Sequence, residues 1–356
     1  MNSAAVRANL PGVELVQLSL RRLRLFLAVL VAALGAAGSA AAYPWPVKPF
    51  TKQHPVRANF GDPRTIFLLP LFDDGIDGPG DFQFHNGIDI SAPDGTEVYP
   101  VMSGTAKLIN GLAVGVDTGT GRSFQYWHIV PVVLDGEHVV AGQTVLGYVA
   151  HSYGHVHLSE FRGGRIWNPL SKGGIAPYRD TVKPTVSSIL FRAWNTLPEV
   201  DPLGVCGKIS IVAEAYDMPQ LKVTGTFAGF PVAPALVTWT LRRVAGELIV
   251  PPTVAVDFRG TLPSAADFWN VYARGTYQNA PRFERRQFNL MPGRFLFQLT
   301  KEGLDTRTLP NGVYQVTVQA SDIRGHARSL SRRFTIVNQA GTESGCAQPP
   351  PPAPPR

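Results

Sequence analysis

Four of the eight histidines and one aspartate fall in three short segments, HNGID at 85–89, YWH at 126–128 and HVHLSE at 155–160. In a strand, successive side chains alternate between faces, so His155 and His157 point the same way with Val156 behind them. One of that pair can bind a metal while the other stands alongside. His85 and Asp89 would lie ~13 Å apart on a straight strand, too far to share an ion whose ligands sit ~2 Å from it. The chain between them must therefore bend, and Asn86 and Gly87 tolerate a bend before Asp89 begins the next strand. Two imidazoles and one carboxylate suit Zn²⁺ and leave a fourth position for water, as a catalytic site requires. Neutral histidines beside such a site can accept a proton, return it to a leaving amine, or donate a hydrogen bond to a tetrahedral intermediate. An HxH pair also arises as two half-exposed surface histidines. A Ser-His-Asp site on Ser91 or Ser159 would need a nucleophile elbow, and neither serine lies in one.

The elements that must position these residues are β-strands. GIDISAP, TEVYPVMSGTAKLI, LAVGVDT, SFQYWHIV, HVVAGQTVLGYVA and HVHLSEF succeed one another with Gly, Asp or Asn between them. They predict an antiparallel β domain over 43–178, with DDGIDGPGD at 73–81 a polar loop. DTVKPTV at 180–186 reads as a linker. After it, ISIVAEAYD, ALVTWTLRR, TVAVDFRG, RFLFQLT, VYQVTVQASD and RRFTIVN alternate apolar and polar residues. They predict a β-sandwich of immunoglobulin-like size over 183–340. The fold class expected is thus all-β, and the polyproline tail at 347–356 reads as extended. No heptad, internal repeat or phosphate-binding glycine loop is present.

Composition agrees, since 44% hydrophobic residues suffice for globular cores and 17% charged residues are too few for a disordered chain. The first 42 residues stand apart. Arg21, Arg22 and Arg24 precede an apolar run from Leu25 to about Ala37, and Ala40, Ala41 and Ala42 end it, the plan of a signal peptide. The run has about a dozen strongly apolar positions where a spanning helix needs ~20. Export to periplasm, envelope or medium is the expectation, with no stable membrane span after cleavage. Without that stretch the formal charge falls from +7 to about +4. That surplus suits an anionic envelope polymer and lacks the basic stripe of nucleic-acid binding. Cys206 and Cys346 are the only cysteines, and pairing and free thiols both remain open.

Over about residues 54–172 the chain resembles the lysostaphin-type zinc endopeptidases of peptidase family M23, the LytM domain. HNGIDISAPDGTEVYPVMSGTA is similar to that family's H-x-G-x-D-x-x-A-P-x-G-T-x-V core, and YWHI, GQTVLGYV, HVHLSE and the Asn-Pro turn in WNPLSKGG follow in order. The resemblance implies that His85, Asp89 and His157 hold one zinc ion and that His128 and His155 are the catalytic pair. It also implies hydrolysis of peptide bonds in bacterial cell-wall peptidoglycan. Two features depart from the pattern: the stretch from Gly147 to His155, containing YVAHSYG, is shorter than the family's loop, and Ser159 replaces an aromatic. Glu160 reads either as a partner behind a ligand histidine or as an exposed strand carboxylate. NFGDPR at 59–64 resembles the segment that leads into the family's groove, with Phe60 a core aromatic. His151 reads as a solvated loop residue. Of Tyr126 and Trp127, one packs inward and the other lines the cleft.

The expected function is an exported zinc metalloendopeptidase acting on peptidoglycan peptides, with a C-terminal sandwich whose partner has no sequence signature. Trp239, Trp269, Tyr272 and Tyr277 read there as core. Two other functions share these motifs. One is a catalytically silent LytM-like envelope protein that binds peptidoglycan or regulates another hydrolase, and the other is a secreted protease on Gly-rich proteins.

Overall fold

Alternation of apolar and polar residues is realised as strands almost throughout. The computed structural model describes residues 42–64, 82–244, 246–278, 291–339 and 346. The expected signal peptide, the loop at 73–81 and the polyproline tail lie outside the described residues. Among the described residues, no helix is long and apolar enough to cross a membrane.

Among the described residues, the first half contributes thirteen strands: β1 (Val56–Ala58), β2 (Pro63–Arg64), β3 (Gln83–Phe84), β4 (Ile88–Ser91), β5 (Glu97–Val98), β6 (Gly104–Asn110), β7 (Ala113–Asp117), β8 (Arg122–Trp127), β9 (Ile129–Pro131), β10 (His138–Val139), β11 (Gly147–Val149), β12 (His155–Arg162) and β13 (Arg165–Trp167). An antiparallel sheet runs in the order β1-β4-β12-β8-β7-β6-β10, with β13 paired to β12, and β5-β11-β9 form a second, three-stranded sheet. Ile88, Ile90, Phe124, Tyr126, Val156 and Leu158 are fully buried in the core beneath the large sheet. Each such side chain contributes about 1.5–3 kcal/mol by leaving water. Asp89 and His157, between these residues, and Trp127, next to Tyr126, emerge on the other face.

The second half builds two four-stranded antiparallel sheets. One contains β14 (Thr185–Ala193), β15 (Lys208–Tyr216), β18 (Leu296–Gln298) and β19 (Leu304–Asp305). The other runs β17 (Leu248–Asp257), β16 (Leu236–Arg243), β20 (Gly312–Ser321), β21 (Ala327–Ile336). The sheets meet face to face, Phe191 of β14 lying 4.7 Å from Phe334 of β21 between ring centroids. Strand β14 begins inside the segment read as a linker and is absent from the expected strands. A register shift between Val186 and Ser188 breaks its alternation, and Ile189 to Arg192 are buried in succession. Cys206 and Cys346 are joined in a disulfide.

Contacts between the halves steer the segment that carries His85. Phe84 packs on Phe258 and Phe268, with ring centroids 5.8 and 5.2 Å away. Tyr272 donates its hydroxyl to the Gly61 carbonyl (2.7 Å), and the Ala233 amide donates to Asp62 (2.7 Å). Gly61 sits at φ +88°, and a Cβ there would lie 2.5 Å from the Phe258 ring, so only glycine allows this approach. The Asn-Pro turn joins the same seam, Asn168 donating its side-chain amide to the Phe258 carbonyl (2.8 Å).

Candidate metal centre

Strand β12 lies between β4 and β8, and its register sets His157 opposite both Asp89 and Trp127. His85 reaches the same place through the expected bend, for it follows β3 and the chain turns at Gly87 before β4. Gly87 is required by proximity, since a Cβ there would lie 2.3 Å from the Leu158 carbonyl oxygen and 2.7 Å from His157 Nε2. The residues around HNGID thus bring the strand of Asp89 against the strand of His157.

The structure brings His85, Asp89 and His157 together, all buried, with potential ligand atoms within 4.8 Å of one another. His85 Nε2 lies 2.7 Å from His157 Nδ1, and Asp89 Oδ1 is 3.1 Å from each. Their outer contacts orient the lone pairs. His85 donates Nδ1–H to the Asn59 carbonyl (2.8 Å), which leaves Nε2 unprotonated in the neutral ring. Ser159 Oγ accepts from His157 Nε2 (2.8 Å) in the tautomer that leaves Nδ1 unprotonated. Two nitrogen lone pairs and a carboxylate oxygen then converge with no proton between them. A cation satisfies such a set. Zn²⁺ bonds of ~2.0–2.2 Å set tetrahedral ligand atoms ~3.3–3.5 Å apart, a small expansion of the spacing seen. The cluster is compatible with one zinc ion.

Electrostatics favour the same protonation states. Burial, with the Arg64 charge, pushes His85 down to about 3. Burial alone would raise the Asp89 carboxyl, but His85, His155 and Arg64 hold it well below the usual carboxylate range. Arg64 Nη2 lies 3.0 Å from Asp89 Oδ2, fixing the oxygen that does not face the histidines.

His155 and His128 stand beside this trio. His155 donates Nδ1–H to the Tyr153 carbonyl (2.8 Å) and turns Nε2 towards Asp89, 3.6 Å from Oδ1. The His128 ring lies 4.6 Å from that of His155 and stacks on Tyr153 at 4.4 Å. Burial pushes His128 down to about 3 and His155 to about 4, so both are neutral bases at pH 7. His128 sits between β8 and β9 at φ +67°, where a non-glycine backbone costs ~1–3 kcal/mol. That conformation breaks the strand alternation, so Trp127 and His128, adjacent in sequence, both line the cleft. Tyr126 packs inward and donates nothing to the cleft; its hydroxyl accepts the Val101 amide (2.8 Å).

The cleft has a volume of about 510 Å³ and is open to solvent. Its walls come from both halves of the chain, with Phe227 and Gln278 facing the histidines.

Several supporting residues escaped the sequence reading. Ser159, weighed there as a nucleophile and noted for the aromatic it replaces, instead contacts His157, as its spacing of two on one strand allows. Asn59 and Arg64 lie in NFGDPR, which marked the segment without their roles. Asp94 accepts the Ser152 and Gly154 amides (2.7 and 2.9 Å) and so shapes the short loop before His155. Tyr153, Arg57, Phe227 and Gln278 carried no local signal. Both expectations for Glu160 are corrected. It lies three residues from His157, hence on the opposite face, and is 0% exposed among Arg122, Arg162 and Tyr43. His151 is exposed, 3.2 Å from Asp94 and outside the cleft. Phe60 is buried in the core.

No protein-family model matches the sequence, and no curated protein matches it. Solved structures do. The catalytic domain of the prophage-encoded M23 protein EnpA from Enterococcus faecalis is 24% identical, covering 38% of this chain and all of that one, with a TM-score of 0.27. A zinc-containing peptidase from Vibrio cholerae is 20% identical over 36% of this chain and 39% of its own, with a TM-score of 0.27. A chain of the SpoIIIAH–SpoIIQ complex is 20% identical over 36% of this chain and 97% of its own, with a TM-score of 0.28. The solved structures similar to this chain thus include M23 peptidases, the family its motifs resemble.

Proposed function

We propose that the protein is an exported zinc metallopeptidase that hydrolyses peptide bonds in bacterial cell-wall peptidoglycan. The observation that carries the proposal is the convergence of three acceptors, His85 Nε2, His157 Nδ1 and Asp89 Oδ1, beside two neutral histidines in an open cleft. Residues 43–178 form the catalytic domain, and the sandwich over 183–340 supplies one wall of the cleft.

His85, Asp89 and His157 would hold the metal, which would supply Lewis acidity when bound. Arg64 keeps the Asp89 carboxylate ionised and oriented, and Asn59 and Ser159 fix the tautomers of the two ligand histidines. His155, held through Nδ1 by the Tyr153 carbonyl, presents Nε2 to take a proton from water and return it to the leaving amine. His128, fixed by stacking on Tyr153, donates a hydrogen bond to the oxyanion as it forms.

The test is release of soluble fragments from purified peptidoglycan, with and without a zinc chelator, mass analysis identifying the bond cut. Chelator-sensitive release with new amino termini is expected. Sacculi that pellet the zinc-loaded protein without release would replace this function by peptidoglycan binding.

A further inference from the structure

The cleft holds a cation that neither metal binding nor proton transfer uses. Arg57, on the edge strand β1, lines the cleft together with Asp89, His128 and His155. Its guanidinium carbon lies 4.3 Å from the ring centroid of Phe227, which comes from the second half of the chain. A planar guanidinium stacked on an aromatic keeps its edge donors free, in a fork that matches a carboxylate. Among the described residues, Arg57 has neither an ion-pair nor a hydrogen-bond partner. Arg64 is a second cation in the same cleft, and although its Nη2 is taken by Asp89, its Nη1 is buried without a hydrogen-bond partner among the described residues.

The charge balance extends the point. Among the described residues that line the cleft, the side chains bring one carboxylate, Asp89, and two guanidiniums, Arg57 and Arg64. A divalent ion adds two further positive charges. A neutral peptide would leave that surplus uncompensated, whereas a peptide bearing a carboxylate near the scissile bond would neutralise part of it inside a partly desolvated cleft.

We propose that Arg57, stacked on Phe227, is a specificity-determining residue that recognises a free carboxylate of the substrate close to the bond cleaved. The proposal rests on the peptidase function above and narrows it to anionic peptides, against neutral Gly-rich ones. It also gives the second half of the chain a part in substrate choice, since Phe227 orients the guanidinium.

The test uses a cross-linked dimer muropeptide released from the same sacculi by a muramidase and the same dimer with its carboxylates converted to carboxamides. Wild-type protein should cleave the carboxylate form with a kcat/KM at least tenfold above that of the carboxamide. Arg57→Gln should lose about tenfold on the carboxylate form, discriminate no longer, and retain its zinc. Phe227→Ala should weaken discrimination while retaining its zinc. Equal cleavage of both forms by the wild type, or discrimination retained by Arg57→Gln, would overturn the role of Arg57 and leave the peptidase intact. If neither form is cleaved, the peptidase function itself fails. Calorimetric binding of the two dimers to the zinc-loaded protein then decides the carboxylate role, with a tenfold preference lost in Arg57→Gln supporting it and equal binding refuting it.

Discussion

The two faces of strand β12 carry buried polar groups of opposite character. On one face His157 meets His85 and Asp89, three acceptors converging with no donor among them. On the other, three residues along, Glu160 is saturated. Its Oε1 accepts from Arg122 Nε (3.0 Å) and Arg162 Nε (2.6 Å), and its Oε2 accepts the Tyr43 hydroxyl (2.8 Å). Both clusters are ionisable and shielded from water. Donor balance separates them: a complete set of partners makes a structural tie, while a surplus of acceptors makes a place for a cation.

Removing an acceptor should have the largest effect. Asp89→Ala or His157→Ala should abolish bound zinc and lower hydrolysis by roughly 10³-fold or more, the several kcal/mol that a metal contributes to the transition state. Elemental analysis and fragment release measure the two losses, and a variant keeping a full equivalent of zinc would break the comparison. Gly87→Ala should come next, because its Cβ would strike the Leu158 carbonyl and force β4 from β12. Thermal unfolding and zinc content should both fall.

Glu160→Gln sharpens the contrast from the other side. Leaving two partly buried guanidiniums without their fully buried carboxylate should cost about 3 kcal/mol of stability in denaturant unfolding, with zinc stoichiometry unchanged. Loss of zinc with little change in stability would show that the faces are not distinct. Ser159→Ala, on the metal face, should do the reverse on a smaller scale, weakening zinc affinity by about tenfold in a competition titration.

Asp217 lies between these extremes. It is buried, its side chain accepts one amide, from Met218, and burial pushes it up to about 8. The folded state therefore holds this proton more tightly than the unfolded chain does, and stability should fall as pH rises from about 4 through about 8. Asp217→Asn should flatten that decline in the unfolding midpoint. An unchanged slope would remove Asp217 as its source.

Much of the centre was legible because its geometry is local. HxH on a strand gives a shared face, and Asn86-Gly87 gives the bend that joins His85 to Asp89. The same parity excludes Glu160 from the metal face, a consequence the family pattern obscured. Strand β14 was hidden because its register shift breaks alternation and its buried run includes Arg192. The chain also gave no local sign that His128 would take φ +67°, that Cys206 would meet Cys346, or that Phe227 would reach Arg57 from 170 positions away. Those features depend on contacts between distant segments, which periodicity does not encode.

The most direct test of the central claim is X-ray absorption at the zinc edge on the full protein reconstituted with one equivalent of zinc. The spectrum should show nitrogen and oxygen ligands at about 2.0–2.1 Å, two of them imidazoles, with no sulfur, and should change on His157→Ala. A spectrum of fully hydrated zinc, or one that His157→Ala leaves unaltered, would contradict it.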